Sequence, residues 1–331
     1  MPGITTFISV GATLITLVLA SSSGCSKALP SNLTPGGTTQ VLTISSKSVI
    51  GKTTQREYRV HLPSTFSAKN NAAAPLIIAL HGQLQPARSM EAITGLSTPA
   101  FNKNAIVVYP EGLNQQWLSD PSAPPSSVLD DRIFITEILN SVSSTLCIDE
   151  SRIYAAGLSN GGGLTGLLAC DPVLNKRFAA YAGVAAAMYP DSTLTEPLFV
   201  AGCNPQLSGR KLPIMELHGL NDSVIAYGGN NSPSPNSLPL PTWINAWVSR
   251  NGCSSTQPSV LTLEGGDVTE SRWSCGGAKD VVVHRQIKDF GHGWPSTSAQ
   301  GEPFETLRLG PTTWNASSLV VDWFNKWTLK V

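Results

Sequence analysis

Three polar residues, far apart in the chain, stand in settings where a hydroxyl could be made reactive. The first is Ser159, in Gly157-Leu158-Ser159-Asn160-Gly161. A serine hydroxyl is a weak nucleophile near neutral pH and needs a base to take its proton. The flanking glycines suit a sharp strand-to-helix turn, where a Cβ on either side would clash. No lysine follows them, so a phosphate cradle is disfavoured. Where a serine is presented this way, its partners follow along the chain as acid and then histidine.

Among the five histidines, His292 is placed to be that base. Phe290-Gly291-His292-Gly293-Trp294-Pro295 is a tight loop of chain breakers directly after an apolar run. His61 and His284 fall inside alternating segments and read as structural, while His81 and His218 each precede a glycine at a strand end. Between serine and histidine, Leu217-His218-Gly219-Leu220-Asn221-Asp222 places an aspartate just beyond a buried-strand pattern. Asp222 would hold the imidazole tautomer and stabilise its cation. Asp267 lies between two cysteines and Asp289 is too close to His292 in the chain, so both are weaker candidates. Negative charge developing on a carbonyl oxygen calls for two backbone donors. The N–H of Asn160 is one; the loop His81-Gly82-Gln83 offers the other at Gln83. Trp294, beside the proposed base, and Trp117, ending the loop from Pro110, are expected to pack on an aromatic acyl group or a sugar ring. Buried tryptophans would be the ordinary alternative.

These residues need a scaffold that brings loop ends together. Val41–Ser45 and Arg56–Leu62 alternate like an antiparallel edge pair. Leu76–Leu80, Ala105–Tyr109, Arg152–Ala156, Phe178–Ala187, Leu212–Leu217 and Val281–Ile287 are apolar runs of the kind buried on both faces. Asp130-Asp131 precede Ile133, Phe134, Ile138, Leu139 and Val142, a helical spacing opened by a good cap residue. A closing helix is expected over Thr312–Leu329, with Leu319, Val320, Trp323, Phe324 and Trp327 inward. The fold class is therefore α/β, an α/β-hydrolase with a mostly parallel central sheet and helices on both faces. There is no internal repeat, and residues 21–331 read as one catalytic domain.

The chain has 331 residues, 41% hydrophobic and 13% charged, enough for a large core under a weakly charged surface. Lys+Arg and Asp+Glu balance at 22 each, which removes the electrostatic case for nucleic-acid or acidic-membrane partners. Residues 1–20 include an uncharged apolar stretch from Phe7 to Ala20 followed by Ser21-Ser22-Ser23-Gly24. They read as a secretory signal cleaved near Ala20, a retained anchor being the alternative. Six cysteines in a secreted chain favour disulfides. Cys253 and Cys275 could close a local loop. Cys147 starts the strand that delivers Ser159, and Cys170 lies about three helical turns past that serine; the two could meet at the far edge of the sheet. Cys25 and Cys203 are then paired by elimination. No cysteine or histidine pair has zinc spacing. Sequons at Asn32, Asn230 and Asn315 are compatible with glycosylation.

Taken together, Ser23–Lys27, Leu80-His81-Gly82, Tyr109-Pro110-Glu111-Gly112, Arg152–Gly163, Leu168-Ala169-Cys170-Asp171, His218-Gly219 with Asp222, and Gly291-His292-Gly293-Trp294-Pro295 resemble the secreted fungal feruloyl esterases. These sit in a wider group with acetylxylan esterases and polyhydroxybutyrate-depolymerase-like esterases. The resemblance covers almost all of the chain after residue 20. It implies hydrolysis of esters between hydroxycinnamic acids and plant cell-wall polysaccharide by Ser159, Asp222 and His292, without metal or organic cofactor. The chain departs from the pattern at Gln83-Leu84, where relatives often carry small residues. Acetylxylan or polyester hydrolysis is the nearest rival; a peptidase and a non-catalytic wall-binding protein are more distant ones.

Overall fold

The structure, a computed structural model, describes residues 21–67, 72–230, 236–253 and 257–329. The expected signal segment at 1–20 lies outside the described residues. Ten strands form a single sheet: β1 Gln40–Ser46, β2 Thr54–His61, β3 Ala74–Leu80, β4 Ile106–Pro110, β5 Ile148–Leu158, β6 Ala180–Val184, β7 Ile214–Gly219, β8 Ser259–Leu263, β9 Val268–Cys275 and β10 Ala278–Ile287. Their order is β1-β2-β4-β3-β5-β6-β7-β10-β9-β8. From β4 to β10 the neighbours run parallel, and an antiparallel pair flanks them at each end.

The apolar runs lie in the centre because both of their faces are covered. Leu76, Ile78 and Leu80 of β3 pack with Phe134, Ile138, Leu164 and Trp243 on one side. Ile77 and Ala79 pack with Met90, Ile93, Val320 and Phe324 on the other. The period of two along the strand thus divides one hydrophobic segment between two cores. Helices α2 Asp131–Thr145, α3 Asn160–Cys170 and α4 Leu240–Arg250 cover the first face; α1 Ala87–Thr94 and α6 Ala316–Phe324 cover the second, and a short α5 spans Phe304–Arg308. Of the two aspartates that open α2, Asp130 is the cap, its carboxylate accepting the Arg132 N–H at 2.9 Å.

Several boundaries depart from expectation. The closing helix runs only over Ala316–Phe324, because Pro311 and the N-cap at Asn315 hold the preceding stretch out of helix. The sheet also continues past β10 into β9 and β8; β8 is mostly exposed, so no buried-strand pattern marks it.

Two of the expected disulfides are corrected. Cys25 bonds Cys147 and Cys170 bonds Cys203; neither Cys147–Cys170 nor Cys25–Cys203 forms, while Cys253 bonds Cys275. The lead-in segment is laced to the start of β5: Ser22 N–H donates to Ile148 O at 2.8 Å and the Ser22 hydroxyl to Leu146 O at 2.7 Å. That lacing sets Cys25 on Cys147, and Asn204 N–H donating to Cys170 O at 3.2 Å brings Cys203 to the end of α3. Among the described residues, no helix is long and apolar enough to cross a membrane.

Candidate active site

Parallel strands deliver their following loops to one edge, and the candidate residues gather there. Ser159 follows β5, Asp222 follows β7 and His292 follows β10. Ser159 sits between strand and helix with φ 55° and ψ −120°, a positive-φ backbone rare for a residue with a side chain. The turn is held from both sides: Ser159 N–H donates to Val184 O, and its carbonyl accepts from Gly163 and Ala187, each at 3.0 Å. A Cβ on Gly157 would stand 2.2 Å from Gly161 O, and one on Gly161 2.3 Å from Leu80 O. The motif glycines therefore let β5, α3 and the end of β3 close on one another.

Asp222 and His292 are in contact, with His292 Nδ1 2.8 Å from Asp222 Oδ2. A carboxylate can only accept from the ring, so Nδ1 carries the proton and the Nε2 lone pair is left free to act as a base. The other oxygen, Oδ1, accepts the N–H groups of Val224 at 2.9 Å and Ile225 at 2.8 Å. Burial alone would raise the Asp222 carboxyl, but hydrogen bonds from His218 and His292 carry it well below the usual carboxylate range. The two loops are sewn together by Leu220 N–H to Ile287 O at 2.8 Å and Asn221 N–H to Phe290 O at 3.0 Å. The rival acids, Asp267 and Asp289, are exposed.

Arg308 braces the histidine loop. Its backbone carbonyl accepts from Gly291 N–H at 3.0 Å, Leu307 O accepts from His292 N–H at 2.7 Å, and its buried guanidinium donates to Ser296 O and Ser298 O. A lone arginine in a polar stretch carries no sequence signal for such a role.

Asn160, the first residue of α3, has an N–H with no carbonyl four residues back inside the helix. Its side chain is locked: Oδ1 accepts Trp117 N–H at 2.8 Å and Nδ2 donates to the Ser119 hydroxyl at 2.9 Å. Gln83 lies in a turn closed by Gln85 N–H to Gly82 O at 3.3 Å, and its side chain donates to Ser122.

The two tryptophans expected to shape a pocket do not. Trp117 and Trp294 are both 0% exposed. Trp117 Nε1 donates to His81 O at 2.8 Å, and Trp294 Nε1 donates to the Ser317 hydroxyl at 2.9 Å. Each ring completes a core and satisfies its own polar atom there. Behind Trp117, His81 takes the Gly112 N–H on Nε2 at 2.9 Å, and burial lowers its pKa to about 4.

Of the sequons, Asn32 is exposed. Asn230 Nδ2 donates to Val224 O, and Asn315 Oδ1 accepts from Ser296 and Thr297.

The acetyl xylan esterase of Aspergillus awamori superposes on this chain with a TM-score of 0.57 at 13% identity, covering 87% of this chain and 99% of that one. An S-formylglutathione hydrolase from Agrobacterium tumefaciens gives a TM-score of 0.54 at 14% identity, over 89% and 97%. With the strand order, these likenesses define the α/β-hydrolase fold. No family model matches the sequence. Among curated proteins, the chain is 30% identical over 232 residues to the probable feruloyl esterase C of Aspergillus niger, covering 64% of this chain and 76% of that one. It is 27% identical over 326 residues to feruloyl esterase D of Neurospora crassa, over 94% and 95%. It is 30% identical over 210 residues to feruloyl esterase B of Piromyces equi, 60% of this chain but only 36% of that longer protein. The chain belongs to the feruloyl esterase family, a family of serine-type carboxylesterases.

Proposed function

We propose that this chain is a secreted carboxylic ester hydrolase that releases ferulic or related hydroxycinnamic acids from plant cell-wall polysaccharide. The observation that carries the reading is the 2.8 Å contact between His292 Nδ1 and Asp222 Oδ2, on the sheet edge where Ser159 is held at positive φ. In the proposed mechanism Ser159 Oγ attacks the ester carbonyl as His292 Nε2 takes its proton. Asp222 stabilises the imidazolium, and the N–H groups of Asn160 and Gln83 hold the oxyanion. The sugar hydroxyl leaves with the proton from His292. Water then attacks acyl-Ser159 by the reverse sequence, freeing the acid and restoring the serine.

With Trp117 and Trp294 buried, the acyl group would meet aliphatic side chains instead. Leu84 is 78% exposed on the loop after β3, Leu220 and Val224 are exposed beside Asp222, and Leu309 is 58% exposed next to Gly291. The loss of an aromatic shelf also favours a second reading, hydrolysis of acetyl or aliphatic polyester bonds. Rates on methyl ferulate, acetylated xylan and a short aliphatic polyester, with wild type and Ser159→Ala, test both. We expect methyl ferulate to be preferred, and Ser159→Ala to fold normally while losing about 10³-fold or more in kcat. Preference for acetate would select the second reading, and near-normal turnover by Ser159→Ala would remove both.

A further inference from the structure

Behind Asp222 lies a second imidazole that the mechanism above does not use. His218 and its neighbour Glu216 lie on β7 with side chains 0% exposed. His218 Nε2 is 2.7 Å from Ile225 O and 3.3 Å from Asp222 Oδ2; a backbone carbonyl can only accept, so Nε2 carries a proton. His218 Nδ1 faces Glu216 Oε1 at 3.2 Å, and the same oxygen accepts the Ala186 N–H at 3.1 Å. Glu216 Oε2 is buried without a hydrogen-bond partner. The ring thus bridges two carboxylates, one of which holds His292.

We propose that His218 is a positioning residue for the Asp222–His292 pair: as a cation clamped between Glu216 and Asp222, it fixes Asp222 Oδ2 and sets the pH at which His292 becomes a free base. This rests on the assignment of Ser159, Asp222 and His292 made above. The two imidazoles share one carboxylate oxygen, His292 at 2.8 Å and His218 at 3.3 Å. A positive His218 therefore competes with an imidazolium at 292 for the same negative charge and helps it release its proton.

The surroundings favour that charge. Glu216 on β7 and Asp222 beyond it are the carboxylates facing the ring. The Tyr227 ring packs edge-on with centroids 6.0 Å apart, and its hydroxyl is engaged by His284 Nε2 and Gln286. His284, on β10, is lowered to about 4 by burial and contributes no positive charge near neutral pH. Burial alone would lower His218, yet hydrogen bonds to Asp222 and Glu216 raise it to about 9. Glu216 is itself pushed up by burial, with the His218 bond opposing.

The test uses two substitutions with different consequences. Gln at 218 keeps an N–H donor near the Nε2 position but removes the charge, whereas Leu removes both. For His218→Gln we expect the acid limb of the kcat/KM profile to move to higher pH by about one unit with the plateau nearly kept. For His218→Leu we expect the same displacement plus about a tenfold loss of plateau kcat, KM being little changed. Rates are normalised by fluorophosphonate titration of Ser159, so loss of folded protein does not register. An acid limb that stays put in folded His218→Gln overturns the inference. If neither variant folds, the decision passes to ¹⁵N-histidine NMR of the wild-type protein, assigned through His→Gln substitutions elsewhere. Two protonated nitrogens on His218 at pH 7 would support the inference, and a neutral ring there would overturn it. Near-normal turnover by Ser159→Ala would instead defeat the underlying site assignment. An inert Ser159→Ala with an unmoved His218→Gln profile defeats this inference alone.

Discussion

Replacing Gly219 by alanine should separate the two loops that hold Asp222 and His292. Gly219 ends β7, and a Cβ built there lies 2.2 Å from Phe290 O and 2.5 Å from Gly291 O. Both obstacles are backbone, so no rotamer change relieves them. An ordinary Cβ contact begins near 3.4 Å, so the loop carrying His292 must retreat by about 1.2 Å, or β7 must. The hydrogen bond between His292 and Asp222 is 2.8 Å long and would be stretched out of range by such a shift. A misplacement of about 1 Å among reacting groups costs roughly 10²-fold in rate, and complete loss of the aspartate's orienting role sets a ceiling of about 10⁴-fold. Overpacking adds about 1–3 kcal/mol of destabilisation, or a fall in Tm of roughly 2–5 °C for a chain of this length. The assay is kcat/KM on an activated ester with thermal unfolding of the same samples. Gly228→Ala is the control, since nothing lies within 4 Å of a Cβ there, and it should leave both values unchanged. A Gly219→Ala protein with wild-type rate and Tm would refute the argument that close approach of these loops builds the site.

The disulfides should differ in worth. Cys25–Cys147 spans 122 residues and Cys253–Cys275 spans 22, so the chain-entropy model assigns about 5 and about 3 kcal/mol, and denaturant titration of the two double-serine variants should rank them in that order. Trp294→Phe removes the bond to Ser317 in a buried site, so a loss of about 1–3 kcal/mol in stability is expected with KM for methyl ferulate unchanged; a raised KM would return Trp294 to the pocket.

Legibility tracked how local the physical signal was. Leu76–Leu80 and Val281–Ile287 were readable as strands because burial on both faces demands an unbroken apolar run. β8 leaves no strand signal in the polar stretch after Cys253 because it lies at a solvent-facing edge, where apolar side chains are not required. In the sequence Trp117 and Trp294 point toward substrate, because a tryptophan beside a site suggests a platform. Nothing in the local sequence reveals that Ser317 and the carbonyl of His81 satisfy their indole N–H groups from 23 and 36 residues away. His218 read as a strand-end residue, although Glu216 two positions earlier was a usable signal, since alternate residues on a strand share a face.

The amino-acid order alone determined the alternation of buried strands and helices, the glycine-flanked turn at Ser159 and the loop of breakers at His292, because each follows from side-chain size, polarity and backbone freedom within a few residues. Tertiary structure decided which cysteines meet, which tryptophans are buried, and that two imidazoles lie against one oxygen of Asp222. Those outcomes depend on strand order and loop approach: β7 lies against β10 although more than 50 residues separate them in the chain, and no local pattern encodes that distance.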